Sequence, residues 1–224
     1  MRKSREFLAH DQIIYIKCAF FERFFCFLAE IAYICTILQL ICMPKLFLSP
    51  FVWLRRFRHR CGYGVHSPFA FEFITGVIYE RWSYYAYSEL DALLPWWVRG
   101  MGLRPRKRLR LLFRLANWRE PARMLLVDPS PEAYAYIRRA VQKAEPCSNP
   151  DGVADFIYVS HPSEEALRCV DSRTMLVVDN LRQHLDWWLR LKQDPRTAIT
   201  FDLYDMGIVL FDRQYNRIDY TVSF

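Results

Sequence analysis

Glycine is scarce in this sequence of 224 residues, which contains 7 glycines where average usage would give roughly 16. Gly152 is the only glycine between Gly102 and Gly207. Neither G-x-G-x-x-G nor G-x-x-x-x-G-K-S/T, the two loops whose backbone cradles phosphates, occurs anywhere in the chain. This absence excludes a standard P-loop NTPase and a standard dinucleotide-binding dehydrogenase.

Paired cysteines are also absent. The seven cysteines are an odd number, and no two of them form a C-x-x-C motif. The pattern supports neither a zinc ribbon nor a disulfide scaffold, and it predicts a reduced compartment in which the cysteines are small apolar side chains. The remaining composition, 53% apolar and 25% charged, is that of a globular protein and excludes a disordered chain.

Positive charge is concentrated in the middle of the chain. Residues 43–123 carry 15 basic and 5 acidic side chains, whereas residues 124–224 carry 11 basic and 15 acidic ones. This asymmetry is typical of a protein that meets a polyanion or a membrane surface. Apolar residues recur at helical spacing from Leu109 to Ala116, which predicts an amphipathic helix with a basic outer face. We interpret that face as solvated and predict no nucleic-acid partner, because no recognition module accompanies it.

The N-terminal segment contains a long apolar run. Residues 24–43 include one charged side chain, Glu30, and about 20 apolar residues suffice to span a bilayer. The run predicts a transmembrane helix, and the basic residues after it would keep the rest of the chain in the cytoplasm, anchored to the inner membrane. Two alternatives remain open. The run could be an amphipathic helix packed on the domain. It could also result from a start site assigned too far upstream, with Met43 as the first residue of an independent chain.

The patterns divide the chain into three regions: a hydrophobic segment at 1–43, a helical basic region at 44–123 and a Rossmann-like α/β core at 124–224. In the middle region Ser67 and Pro68 predict the start of a helix, because serine caps helix N-termini and proline suits the first turn. Apolar residues recur at helical spacing after them, so we expect one face of this helix to be apolar.

The last hundred residues alternate between short apolar strands and helices. Strands are predicted at 124–127, 156–159 and 175–178, followed by a meander at 198–203, 207–211 and 220–224. A helix should start at Ser130, and another should follow Asn180 with Leu181, Leu185, Trp188 and Leu189 on one face. The predicted fold class is therefore α/β: a shortened Rossmann-like, mostly parallel sheet with antiparallel C-terminal strands and an N-terminal helical region.

Ligands of such sheets bind beyond the carboxyl ends of the strands. Three polar positions follow directly after predicted strands: Asp128, Ser160-His161 and Asp179-Asn180. These positions are the candidates for a functional site.

The order of the motifs resembles the class I S-adenosylmethionine-dependent methyltransferases, and more closely a bacterial group of methyltransferase-like proteins that opens with a G-x-H-S-P-F segment. The matching segments are Gly64–Phe69, Leu111–Leu115, Asp155–Val159, Leu176–Asn180 and Phe201–Phe211, and the resemblance spans about residues 51–224. It implies S-adenosylmethionine as the cofactor and an unknown acceptor as the partner. The candidate cofactor-binding residues it implies are Asp128, Ser130, Ser160 and Asp179.

The chain departs from that family where the cofactor binds. The family's first strand runs into a glycine-containing acidic loop, whereas Leu126–Pro131 contains no glycine. The same stretch reads equally well as the family's second strand, whose terminal acid, here Asp128, holds the ribose hydroxyls. Each βαβ unit takes about 30 residues, and only the 28 residues at 128–155 are available before the next strand. In either register the cofactor pocket lacks a wall.

A metal site is not predicted. In the catechol-type methyltransferases, which Asp179-Asn180 resembles, an acid after the preceding strand joins an Asp-Asn pair to hold Mg²⁺, but Ser160 stands at that position. We interpret Asp179 and Asn180 as a helix start whose side chains cap the next turn.

The function predicted from these features is a binding or scaffold module with an incomplete S-adenosylmethionine pocket and weak or no activity. One alternative is an active S-adenosylmethionine-dependent methyltransferase of unknown acceptor. Another is a membrane-tethered protein with a polyanion-binding basic face.

Overall fold

The structure is a computed structural model that describes Gly62, Val98 and residues 64–96, 103–147 and 152–224. The apolar run at 24–43 lies outside the described residues, and with it the transmembrane and start-site predictions. Within the described ranges, none of the helices has the length and apolar character needed to cross a membrane.

The described residues contain one seven-stranded sheet. Its strands are β1 (Arg123–Val127), β2 (Glu145–Pro146), β3 (Phe156–Val159), β4 (Met175–Val178), β5 (Ile199–Asp202), β6 (Gly207–Leu210) and β7 (Ile218–Thr221). Their spatial order is β2-β1-β3-β4-β6-β5-β7. β6 runs antiparallel to β4 and β5, and the other four pairs are parallel. This arrangement confirms the predicted fold class.

Helices cover both faces of the sheet. They are α1 (Pro68–Phe73), which continues as a π-helical turn (Ile74–Ile78), α2 (Ala86–Leu93), α3 (Leu103–Arg119), α4 (Pro131–Ala140), α5 (Glu164–Arg168) and α6 (Leu185–Gln193), with a 3-10 turn at Leu181–Gln183. Side chains of β3 alternate between the two faces. Phe156 and Tyr158 pack in the core that contains α1 to α4, and Ile157 and Val159 pack in the core that contains α5 and α6. The domain is therefore an α/β/α sandwich.

β3 and β4 lie at the centre of the sheet. Every residue of both strands is buried, as expected of parallel strands that are covered on both faces. Their observed bounds agree with the strands predicted at 156–159 and 175–178.

The C-terminal strands do not form the predicted meander. β5 and β6 make an antiparallel hairpin, but β7 pairs in parallel with β5, with Ile218 opposite Ile199. The physical reason is that β6 has β4 on its other edge, so the last strand pairs with the outer edge of β5.

The helix start predicted at Ser67 and Pro68 is confirmed. The Ser67 hydroxyl oxygen accepts a hydrogen bond at 3.4 Å from the amide three residues later, and Pro68 is the first helical residue. The π-helical turn that follows is stabilised by the buried Arg114 of α3. Its guanidinium donates to the carbonyls of Val77 and Ile78 at 2.7 and 2.9 Å.

The helix predicted after residue 180 has a different buried face. Its backbone breaks at His184, where φ and ψ are −130° and 40°, so the 3-10 turn and α6 are separate elements. The break changes the helical phase. α6 buries Trp187, Trp188 and Leu191 and exposes Leu185 and Leu189.

Candidate functional site

The carboxyl edge of the sheet has a topological switch point between β1 and β3. The chain passes from β1 outward to β2 and then returns across β1 to β3. Open α/β sheets bind ligands at such a point. The topology also places β1 at the position of the first strand of a doubly wound sheet, which favours the register in which Asp128 belongs to the loop after the first strand.

Asp128 and Ser160 come together at this switch point. The Ser160 hydroxyl donates to the Asp128 carbonyl at 2.7 Å, and the Asp128 carboxylate lies 3.6 Å from Nδ1 of His161. The Asp128 side chain is 79% exposed, and its backbone φ of 49° lies in the left-handed region. Ser160 Oγ also lies 3.3 Å from Nδ1 of His161. Because both contacts use the same ring nitrogen, the three residues are not arranged as a serine–histidine–aspartate triad.

Ser130 serves the start of α4. Its hydroxyl oxygen accepts a hydrogen bond from the Ala133 amide at 3.2 Å, and Pro131 is the first helical residue. Prolines on both sides of Ser130 restrict the backbone of the loop. The loop therefore runs from β1 directly into a capped helix, with no glycine at which a ligand could approach the backbone closely.

Asp179, at the end of β4, is the most buried of the four predicted site residues, with 7% of its surface exposed. Its Oδ1 pairs with the guanidinium of Arg108 on α3, and its Oδ2 accepts a hydrogen bond from the Tyr158 hydroxyl at 2.9 Å. Burial, and after it the adjacent charge of Asp179, raises the pKa of Tyr158 above its usual range, so this phenol stays neutral and donates. Both oxygens of the carboxylate thus have a donor within the chain.

Arg108 reaches Asp179 because α3 runs along the strands, from their amino ends to their carboxyl ends. Near the C-terminus of α3, Arg119 donates to the carbonyls of Asp155 and Arg173, which precede β3 and β4. The N-terminal half of α3 therefore lies at the opposite, carboxyl edge. Its 17 residues extend about 25 Å, which exceeds the length of the four-residue strands beneath it.

Three other arginines of α3, Arg106, Arg110 and Arg114, pair with carboxylates and so depart from the predicted solvated face. Arg110 pairs with Asp91 of α2 at 2.5 Å, and Arg106 lies 3.6 Å from the same carboxylate. Arg114 is 5% exposed, with its guanidinium 4.0 Å from the Glu80 carboxylate. The physical reason is that the residues before α3 supply carboxylates that α3 neutralises.

Asn180 and Asp179 do not cap the following turn, which corrects the sequence interpretation. Asn180 has a left-handed φ of 52° and its side chain makes no capping hydrogen bond, while the Asp179 carboxylate faces Arg108 and Tyr158. Among the residues that the structure describes, no group of three or more His, Cys, Asp or Glu side chains is close enough to hold a metal ion.

Sequence analysis missed Arg108 and Tyr158. Arg108 lies 71 positions from its partner, within a run of basic residues. Tyr158 lies in an apolar strand, where the pattern predicts burial only. One signal was present: a buried hydroxyl in the strand next to β4 needs a partner, and the carboxylate at the end of β4 is a suitable acceptor.

Comparisons with known proteins give limited information. No protein-family model and no curated protein matches the chain. An SAH-bound methyltransferase of Podospora anserina is 13% identical, with a TM-score of 0.34, over 58% of this chain and 88% of that chain. A methyltransferase from Geobacter sulfurreducens is 16% identical, with a TM-score of 0.33, over 55% of this chain and 94% of that chain. At these values neither comparison assigns a cofactor, a substrate or an activity to this protein.

Proposed function

We propose that this chain is a class I methyltransferase-like protein with an incomplete S-adenosylmethionine pocket, and that it acts as a binding or scaffold module and not as an efficient methyltransferase. The order of the sequence motifs and the switch point between β1 and β3 support the first part. The observation that carries the second part is Asp179, whose carboxylate is held by Arg108 and Tyr158 of the same chain.

The residues at the carboxyl edge do not fit S-adenosylmethionine. The cofactor carries a sulfonium, an ammonium group and ribose hydroxyls, for which carboxylates and other oxygen acceptors are suitable partners. The Asp179 carboxylate is buried and already pairs with Arg108 and Tyr158, so a ligand would have to displace one of them, and the Ser130 oxygen accepts the amide that begins α4. Asp128 is accessible, but a carboxylate that is 79% exposed is screened by water and holds a cation weakly.

A cofactor that displaced Arg108 from Asp179 would bind more weakly, because the ion pair between these two residues would be lost. Removing one partner of a fully buried ion pair costs about 3–5 kcal/mol. We expect about 2–3 kcal/mol here, because the Arg108 side chain is 32% exposed and regains water when it is released. A penalty of this size lowers the affinity by about 30- to 150-fold.

The chain between β1 and β3 is also short. The described residues of this segment, 128–147 and 152–155, contain one helix, α4, and the two-residue strand β2. A βαβ unit takes about 30 residues, so residues 128–155 accommodate a single shortened unit. This shortening supports the proposal that the pocket beside β1 lacks a wall.

Calorimetric titration of the full chain with S-adenosylmethionine and S-adenosylhomocysteine tests the proposal. We expect no binding tighter than millimolar for either compound. Micromolar affinity that is abolished by Asp128→Ala and retained by Glu165→Ala, which alters an exposed carboxylate on α5, would contradict the proposal. That result would instead support an active methyltransferase of unknown acceptor.

A further inference from the structure

The amino edge of the sheet, where six strands begin and β6 ends, is basic although the C-terminal half of the chain is acidic. The described segments at this edge are 119–123, 138–147, 152–155, 168–174, 191–198 and 211–217. They contain 11 of the 13 basic side chains in residues 119–224, but only 6 of the 16 acidic ones. The fold therefore separates charges that alternate along the sequence.

Helix ends explain part of this positive charge. α3, α4 and α5 end at the amino edge with arginines such as Arg119, Arg138 and Arg168 in their last turns. A cation at that position interacts favourably with the negative end of the helix dipole. The arginines beside strand ends have no such explanation, because strands have only small dipoles.

Four arginines beside strand ends form what we term the arginine row. Arg123 begins β1, Arg173 lies two residues before β4, Arg213 lies three residues after β6, and Arg217 immediately precedes β7. All four are exposed, and none forms an ion pair with a carboxylate among the described residues. β1 and β7 are five strand spacings apart, so the row is about 24 Å long.

Most carboxylates at this edge are already used within the chain. Four of the six accept hydrogen bonds from backbone amides: Asp155, Asp171, Asp194 and Asp212. Asp194 also pairs with Arg196 at 2.8 Å. The other two, Glu120 and Glu145, are exposed. The edge keeps a net positive charge, which attracts polyanions.

A cavity of about 590 Å³ opens at the amino edge beside the arginine row. β4 and β6 are neighbours, with Met175 opposite Leu210, so the loop before β4 and the loop after β6 face each other across it. Its lining includes the exposed Ser172, Arg213 and Gln214. The volume lies in the range of small-molecule sites, and the lining offers hydrogen-bond donors and acceptors as well as a guanidinium.

We propose that the amino edge binds single-stranded nucleic acid, with phosphates along the arginine row and an unstacked base in the cavity. Guanidinium groups bind phosphate oxygens through paired donors. Unpaired bases are held by stacking on guanidinium planes and by hydrogen bonds to their edges. A flat bilayer surface would not enter the cavity, which favours a nucleic acid over a lipid partner.

This surface differs from the basic run of α3, from which sequence analysis predicted no nucleic-acid partner. The arginine row is spread over residues 123–217 among acidic residues, so only the fold brings it together. It lies at the edge opposite the candidate cofactor site. The proposal therefore does not depend on whether that site binds S-adenosylmethionine.

Fluorescence anisotropy of the full chain with a labelled oligouridylate of about 20 nucleotides tests the proposal. We expect micromolar affinity at low salt. The logarithm of the association constant should fall with the logarithm of the salt concentration with a slope of about −3, because about four phosphates are neutralised on a single strand. Arg173→Gln/Arg213→Gln should bind at least about 10-fold more weakly and should reduce the magnitude of the slope by about 1.4. Both arginines are exposed, so this variant should fold as the wild type does.

Arg81→Gln/Arg182→Gln is the matched control, because it removes two exposed arginines away from the amino edge. Arg182 follows β4 at the carboxyl edge. Arg81 lies two residues after Tyr79, whose hydroxyl donates to the Ser223 carbonyl beyond the carboxyl end of β7. The control should keep the affinity and the salt slope of the wild type.

Four results would overturn the proposal. They are the absence of oligouridylate binding, binding that does not depend on salt, an equal loss of affinity in both double variants, and equally tight binding of a duplex of the same length. If oligouridylate does not bind but Arg173→Gln/Arg213→Gln loses binding to phosphatidylglycerol vesicles, the amino edge is a membrane surface instead.

Discussion

Replacing Arg108 with methionine removes the guanidinium that pairs with Asp179 and keeps an unbranched side chain. The Asp179 side chain is 10% exposed, so its carboxylate would stay in the interior with Tyr158 still donating to it. Removing one partner of a fully buried pair costs about 3–5 kcal/mol. Because Arg108 is 32% exposed and Tyr158 remains bonded, we expect the free energy of unfolding to fall by about 2 kcal/mol.

Urea denaturation of the full chain measures this loss, and a double-mutant cycle assigns it to the pair. Arg108→Met/Asp179→Asn should lose about 1–2 kcal/mol less than the sum of its single variants. Arg190→Met is the matched control, because Arg190 and Glu164 lie 3.9 Å apart and are 69% and 70% exposed. It should cost less than about 0.5 kcal/mol. An additive cycle, or a loss for Arg108→Met no larger than that of the control, would refute the ion-pair reasoning.

Three other contacts predict measurable effects. Arg114→Met leaves the carbonyls of the π-helical turn without their charged donor. Urea denaturation should show that the free energy of unfolding falls by about 3 kcal/mol. A loss below about 1 kcal/mol would contradict this reasoning. Gly207→Ala places a Cβ 2.6 Å from the Trp188 ring, so thermal or urea unfolding should show a loss of about 1–3 kcal/mol, and a neutral result would contradict the tight packing. Burial, followed by the hydrogen bonds and charge of Glu80, raises the pKa of Tyr84 to about 12. The folded state therefore favours the neutral phenol, whose stabilising contribution is complete below pH 10 and is lost as the pH rises towards 12. In a titration that follows phenolate absorbance, Tyr84→Phe should remove a step near pH 12. Loss of a step near pH 10 instead would contradict the raised pKa of Tyr84.

The central strands could be predicted from the sequence because burial on both faces requires an apolar residue at every position. The bounds of β3 and β4 therefore agree with their apolar runs. The helix starts at Ser67 and Ser130 could be predicted for a different reason. A serine cap depends on residues within one turn, so the local sequence contains all the information that it needs.

Elements that depend on distant residues could not be predicted. β2 consists of Glu145 and Pro146, which have low strand propensity, and it forms because β1 offers it an edge to pair with. The change of phase at His184 is similar, since a periodic pattern does not reveal a backbone break within it. Pairing of β7 with β5 also depends on which sheet edge the earlier strands leave available.

The same limit applies to the candidate site. The sequence identified carboxyl-end residues such as Asp179, but their partners come from elsewhere in the fold. Arg108 lies 71 positions away on α3. The sequence around it looks like a solvated basic face, because it does not show that Arg106 and Arg110 meet Asp91 of α2 in the fold.

The charge-reversal variant Arg106→Glu, Lys107→Glu, Arg108→Glu shows the practical consequence. It would fold normally if these side chains were solvated. In the structure two of the new glutamates would face Asp91 and Asp179, so we expect this variant to fold poorly. Loss of lipid or RNA retention in this variant would therefore not identify a docking surface.

A crystal structure of the full chain grown with excess S-adenosylhomocysteine tests the central claim most directly. We expect the Arg108 guanidinium on one oxygen of Asp179, the Tyr158 hydroxyl on the other, and no ligand at the carboxyl edge of the sheet. S-adenosylhomocysteine bound between Asp128 and Ser160, with Arg108 turned away from Asp179, would contradict the claim. The claim is that Arg108 and Tyr158 of the same chain hold the Asp179 carboxylate in place of a cofactor.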